Sequence, residues 1–278
     1  MQAHAITEEP NTPDILAVGA EELAERMLEP ATMQAIYEDT NAIIRSDRTP
    51  ENLFSLVQNA VATMEQVWNG LSEEGPAYAC KKGCSWCCHQ SVMVTAPEVL
   101  AIANFLRDNL TEGVVARLAT LVGERAAETD GLSNDDRMDQ RIPCVFLMDD
   151  ICTIYPVRPL QCRGGYSEDE EYCRNLLDDR EATQRAVADG SIDGQYLLVP
   201  KMLYDSAQVG MAAALKAEGL NADPLDLTAA MAIALADPDV TEKWLSGWPV
   251  FASARLHRKP AEAGDHYVTQ MEAAEAAV

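Results

Sequence analysis

Along residues 51–68 the apolar positions Leu53, Val57, Ala60, Val61, Met64, Val67 and Trp68 recur at intervals of three and four, the spacing that lines one face of an α-helix. Weaker versions of the pattern run through 13–28 and 32–44, so the chain up to residue 74 reads as helical. Gly75-Pro76 ends that run. Beyond it, Thr95-Ala96-Pro97-Glu98 has the form of a capping box, with proline in the first turn where its missing N–H is harmless. It predicts a helix over 96–110. A second periodic stretch predicts another over 114–127, and the polar, acidic 129–140 reads as a surface loop.

The period then changes. Residues 144–148 and 151–155 are two short β-type runs around Asp149-Asp150, the pattern of a hairpin. Ser167 with Glu170 makes a second capping box, predicting a helix that carries Cys173 and continues toward Ala188. From 196 to 236 Ala, Leu and Met return at helical spacing, interrupted near 219–224. The expected fold is mainly α, with helical bundle-like flanks around a cysteine-rich metal-binding core and one small β-hairpin. We divide it into an N-terminal helical region (1–74), the cysteine core (75–180) and a C-terminal helical region (181–278), packed as one globular unit.

A chain of 278 residues with 47% hydrophobic content buries a sizeable core without needing metal to make up for small size. Its purely apolar runs fall far short of the roughly 18–20 residues a spanning helix needs. Residues 1–11 carry acids and a proline, not the basic start and apolar core of a secretory signal, so a soluble, cytoplasmic protein is expected. The net charge of -24 repels phosphate backbones and anionic lipid surfaces. It argues against nucleic-acid and membrane partners and favours a basic protein partner.

The chemistry lies in the cysteines. All eight fall between Cys80 and Cys173, and in a cytoplasmic protein clustered thiols are ligands or redox groups more often than disulfides. Cys84 and Cys87 have the spacing that brings two thiolates to one metal through a tight turn, which Gly83 eases. Cys80 adds a third thiol. Cys88 adds a vicinal pair with Cys87, and because neighbouring side chains diverge from the backbone, such a pair favours two adjacent sites or a polynuclear cluster. Cys144, Cys152 and Cys162 are expected to converge on the same site, while Cys173 reads as either a ligand or a core residue. His89 is a candidate ligand or proton carrier, and Trp86 a packing residue. Acids number 45 in the chain, yet 75–97 and 151–166, which hold six of the eight cysteines, contain none. Thiolates and anionic clusters are stabilised beside cations, and Lys81, Lys82, Arg158 and Arg163 are the candidates to supply that charge.

Cys80-x3-Cys84-x2-Cys87-Cys88, followed by Pro143-Cys144-Val145-Phe146-Leu147, Cys152-Thr153-Ile154-Tyr155 and Arg158-Pro159-Leu160-Gln161-Cys162-Arg163, resembles the YkgJ-type cysteine-cluster family over about 77–175. The resemblance implies zinc, iron or iron–sulfur binding by these cysteines. A longer relative, flagellin lysine methylase, shares the cysteine motif, but nothing in this chain marks a methyl-donor site. Cysteine-only ligation suits iron–sulfur clusters and zinc alike; the vicinal pair and the surplus of thiols tilt the expectation toward an iron–sulfur cluster, with zinc as the alternative. The chain has no Gly-rich phosphate loop, His-Glu-x-x-His helix or Gly-x-Ser-x-Gly elbow. Three classes therefore stand: a redox or radical enzyme such as an Fe–S oxidoreductase, a metal carrier or sensor, and a structural zinc module.

Overall fold

The computed structural model describes residues 29–72, 77–194 and 196–256. The helical pattern at 13–28 and the Gly75-Pro76 break lie outside the described residues. Among those described, eleven α-helices and two two-stranded sheets make up a mainly helical fold.

The flanking helices form where the apolar period placed them. α1 (Pro30–Ser46) and α2 (Pro50–Ser72) turn Ile36, Ile44, Leu53, Leu56, Ala60 and Met64 inward. α3 (Ala96–Asn109) begins on the expected Thr95–Glu98 box: the Glu98 carboxylate accepts from the Thr95 N–H and hydroxyl, both at 2.8 Å. α4 (Glu112–Thr129) follows. Nearer the C-terminus, α9 (Leu198–Ala217), α10 (Leu227–Ala236) and α11 (Val240–Leu245) complete the bundle. One hydrophobic cluster joins these elements, running from Ile36 to Ala254 and including the fully buried Phe146, Tyr204, Trp244 and Phe251. It takes in side chains from before, within and after the cysteine segment.

α1 and α9 pack closely because residue 210 is glycine. A methyl group there would overlap the Met33 backbone carbonyl, which cannot swing aside as a flexible side chain would. Gly210→Ala is therefore expected to destabilise the fold by about 1–3 kcal/mol through overpacking. Urea denaturation should show a lower midpoint at an unchanged m-value.

Four expectations are corrected. The 129–140 segment is not all loop: Ser133 and Asp136 form a capping box that starts α5 (Asn134–Asp139). The helix carrying Cys173 is capped by Asp169, whose side chain accepts from the Glu171 N–H at 2.8 Å. Ser167 is spent on the backbone of Asp169 and on Cys80 instead. That helix, α7 (Glu170–Asp178), stops at Asp179, whose backbone leaves the helical region (φ -150°, ψ 79°) and which caps a separate α8 (Arg180–Ala188) through the Ala182 N–H. The hairpin is not the only strand pairing, because β1 (Met93–Val94) pairs antiparallel with β4 (Leu225–Asp226). Two-residue strands leave no periodic trace in a sequence.

The hairpin itself is present but short. β2 (Leu147–Met148) and β3 (Ile151–Cys152) pair Leu147 with Cys152 and Met148 with Ile151. Asp149 and Asp150 both have positive φ, 49° and 60°, as a two-residue type I′ turn requires.

Candidate metal centre

The cysteine loop is held from three sides. Gly83, at φ 97°, closes a turn in which the Cys84 N–H donates to the Lys81 carbonyl at 3.0 Å; a residue with a Cβ is strained there. Residues 86–89 then make a single 3-10 turn with the Cys88 N–H donating to the Ser85 carbonyl. Before the loop, the Tyr78 ring packs edge-on to Tyr166 with centroids 4.7 Å apart, and Tyr166 meets Trp68 at the end of α2 at 5.3 Å. The Ala79 N–H donates to the Ser167 carbonyl at 2.8 Å, while the Ser167 N–H points to the Cys80 sulfur at 3.2 Å. On the α7 side, Glu170 accepts from the Trp86 indole N–H and the Lys81 ammonium, each at 3.2 Å. On the hairpin side, Ser85 donates to Asp150 at 3.0 Å, and the Cys144 N–H donates to the Cys88 carbonyl at 2.6 Å.

The hairpin and the short helix behind it bring the distant thiols in. Cys152 lies opposite Leu147, and Cys144 and Cys152 pack against the main core. Cys162 rides on α6 (Leu160–Gly164), which is set from its first residue: the Leu160 N–H donates to the buried Glu98 carboxylate at 2.8 Å. Gln161 beside it accepts from the Met93 N–H. Gly164 lets α6 lie against α9, since a Cβ there would stand 3.0 Å from the Tyr204 Cβ and 3.2 Å from the Pro200 carbonyl.

All eight thiols are free and feel one another. Burial, and after it the repulsion of Cys87, Cys84 and Cys173, pushes Cys80 up to about 11. Burial likewise takes Cys144 to about 11, with Cys152 adding repulsion, and raises Cys162, which Cys144, Cys87 and Cys152 raise further. Cys84, Cys152 and Cys173 are raised by burial too, each with Cys87 as a repelling neighbour. Cys87 alone moves down, to about 7, chiefly because the Cys88 thiol donates to its sulfur; Cys88 rises correspondingly. Every other thiol except Cys144 has Cys87 as a recorded electrostatic neighbour. Among the described residues, no three His, Cys, Asp or Glu side chains already stand together as a metal-holding group: the thiols are gathered but not closed into a shell.

Backbone donors already serve several sulfurs as they would serve thiolates. Cys84 receives the Trp86 N–H, Cys144 the Phe146 N–H and Cys152 the Ile154 N–H, each two residues on, and each favours the charged form. This N–H-to-sulfur turn is what a bound thiolate needs, and it was not legible beforehand because it depends on φ/ψ at three separate turns.

The predicted cations divide. Arg158 faces the thiols, favouring the charged forms of Cys87, Cys152 and Cys162. Its guanidinium lies 4.2 Å from the Tyr155 ring centroid, and its buried Nε has no hydrogen-bond partner. Lys81 lies near enough to favour the Cys84 thiolate but is paired with Glu170. Lys82 is exposed. Arg163 turns away from the expected role: its guanidinium is buried, donates to the carbonyls of Pro156 (2.7 Å) and Arg158 (3.0 Å) and pairs with Glu65. It shapes the 156–163 segment.

The acid-free windows are also not acid-free in space, because α7 delivers Glu170 next to Cys84, where it opposes a thiolate. Sequence reading placed Glu170 only as a helix cap. His89 sets its Nδ1 3.3 Å from the Trp86 carbonyl oxygen, and Trp86 packs against the small apolar cluster of Tyr172, Cys173 and Leu176, as expected of it.

The donor set fits a thiolate-bound metal. Seven of the eight thiols, all but Cys87, are raised and stay protonated near neutrality unless a cation compensates them, and a bound metal supplies that compensation while its binding releases the protons. The orphaned Arg158 Nε points the same way, since a buried donor without a partner is costly unless an anionic centre sits beside it. No helix among the described residues is long and apolar enough to cross a membrane. Neither a curated protein nor a solved structure matches the chain. Residues 79–178 match the family model CxxCxxCC, described as a putative zinc- or iron-chelating domain, a likeness that supports metal binding through these cysteines.

Proposed function

We propose that the cysteine constellation holds an iron–sulfur centre that carries electrons, making this a redox protein in which the flanking helices are a scaffold. The observation that carries this reading is the fastening of the cysteine loop to the segments bearing the other thiols, the Cys144 N–H on the Cys88 carbonyl at 2.6 Å and the Ser167 N–H on the Cys80 sulfur at 3.2 Å, which gathers more sulfur than one four-coordinate zinc can use. Backbone N–H groups on Cys84, Cys144 and Cys152, with Arg158 beside Cys87, Cys152 and Cys162, supply the hydrogen bonds and positive charge that tune a cluster's potential. When bound, the cluster supplies one-electron chemistry; the residues of the chain orient it, limit its contact with water and stabilise its negative charge. The strongly acidic composition suits a basic electron-transfer partner in the cytoplasm.

Zinc is the second reading, favoured by the turns that direct an N–H at the sulfur two residues earlier, which serve a structural zinc equally well. Protein purified without oxygen from its native host separates the two. An iron–sulfur centre gives brown protein with iron, acid-labile sulfide and visible absorption that bleaches on reduction, because thiolate-to-iron charge transfer is coloured. Colourless protein with stoichiometric zinc would overturn the redox reading, since a filled d shell gives no such band.

A further inference from the structure

The vicinal pair, the two apolar clusters and the hydrogen bonds around the loop together sort the cysteines. Cys173 lies with Trp86 in the small cluster of Tyr172 and Leu176, whereas Cys144 and Cys152 pack against the main core. The loop is fastened to each side separately. Lys81 and Trp86 reach Glu170 at the start of the helix that carries Cys173, and the Ser167 N–H reaches Cys80. On the other side, the backbone of Cys88 is bonded directly to that of Cys144, and Cys152 stands in the paired strand of the same hairpin.

Resting on the thiolate-metal reading above, we propose that the eight thiols make two adjacent four-cysteine sites: Cys80, Cys84, Cys87 and Cys173 in one, and Cys88, Cys144, Cys152 and Cys162 in the other, meeting at the Cys87-Cys88 pair. Cys162 falls to the second set by its place on α6, where the neighbouring Gln161 side chain accepts from the Met93 N–H just beyond Cys88.

The assignment parts from the sequence pattern, which groups Cys88 with Cys80, Cys84 and Cys87. Each set has the ligand number of a tetrahedral thiolate site or of one cubane cluster. Two such centres in contact would form a short electron path, or a paired zinc unit.

Cobalt(II) is a suitable probe because it takes the same thiolates and its tetrathiolate absorption can be titrated. Metal-free full-length protein, kept anaerobic, should take up two cobalt ions per chain. Cys144→Ser/Cys152→Ser should take up one and shield Cys80, Cys84, Cys87 and Cys173 from iodoacetamide, as mapped by mass spectrometry. Cys80→Ser/Cys173→Ser should do the converse. A folded double variant that loses both ions, or that shields Cys88 together with Cys80 and Cys84, overturns the division in favour of one shared centre. Should a variant fail to fold by circular dichroism, the wild-type chain carrying a single cobalt decides: shielded sets drawn from one group of four uphold the division, and mixed sets refute it. Absence of any thiolate-bound cobalt would instead strike the metal-centre reading itself.

Discussion

Replacing Cys80, Cys84, Cys87 and Cys88 together by serine is expected to leave under about 0.3 metal per chain, because a serine hydroxyl is neither soft nor readily ionised and the remaining thiols cannot complete a shell. Far-UV circular dichroism should stay close to wild type. None of these four belongs to the buried core, which is built from α1, α2, α3, α9 and α10. The melting temperature should nevertheless fall toward that of metal-free wild type, since ligand that binds only the native state stabilises it by mass action. Elemental analysis beside dichroism checks both halves. Metal retained at the wild-type level would remove the loop from the site, and lost helicity would mean that the flanks depend on the metal.

The second large effect lies away from the sulfurs. The Glu98 carboxylate, 2% exposed, accepts from the Thr95 N–H and hydroxyl, the Leu160 N–H and the Gln208 amide at 2.8 to 3.0 Å. It ties the start of α3 to α6, which carries Cys162, and to α9. Glu98→Ala should cost about 3–5 kcal/mol, because it orphans several buried donors at once, and should lower the melting temperature by about 10 °C at this chain size. Metal retention should weaken as well, since α6 loses the anchor of its first N–H.

The pH dependence follows from burial, which raises Glu98 above the ordinary carboxylate range despite its donors. The folded state then holds this proton to higher pH than the unfolded chain does. The associated stability is present below the unfolded value and is lost as pH rises through the folded one. Glu98→Gln cannot titrate. Denaturant midpoints measured from about pH 4 to 8 should fall with pH more steeply in wild type than in Glu98→Gln, judged against an unperturbed glutamate near 4.3. Parallel curves would show that the buried carboxyl titrates alike in both states.

What the sequence alone determined was local. Apolar spacing of three and four placed α1, α2 and α4, because a helix repeats every 3.6 residues and its buried face must repeat with it. The Thr95–Glu98 box was legible because its bonds span three residues, and the Asp149-Asp150 turn because only two residues separate the strands. The cysteine spacing marked a metal-binding segment for the same reason: chelation by a short loop is a local constraint. What depends on pairs far apart in the chain was decided by tertiary packing. The β1–β4 pairing joins residues more than 130 apart through two-residue strands with no period to read. Arg158 and Arg163 stand five apart with the same charge, yet one faces the thiols and the other is taken by Glu65 and two carbonyls. Glu170 entered the acid-free neighbourhood because α7 folds back over the loop. The proposed grouping of Cys88 with Cys144 instead of Cys84 draws on a backbone hydrogen bond between residues 56 apart. Linear proximity sets which thiols of the loop stand together, whereas the packing of α6, α7 and the hairpin sets which distant thiols are brought beside them.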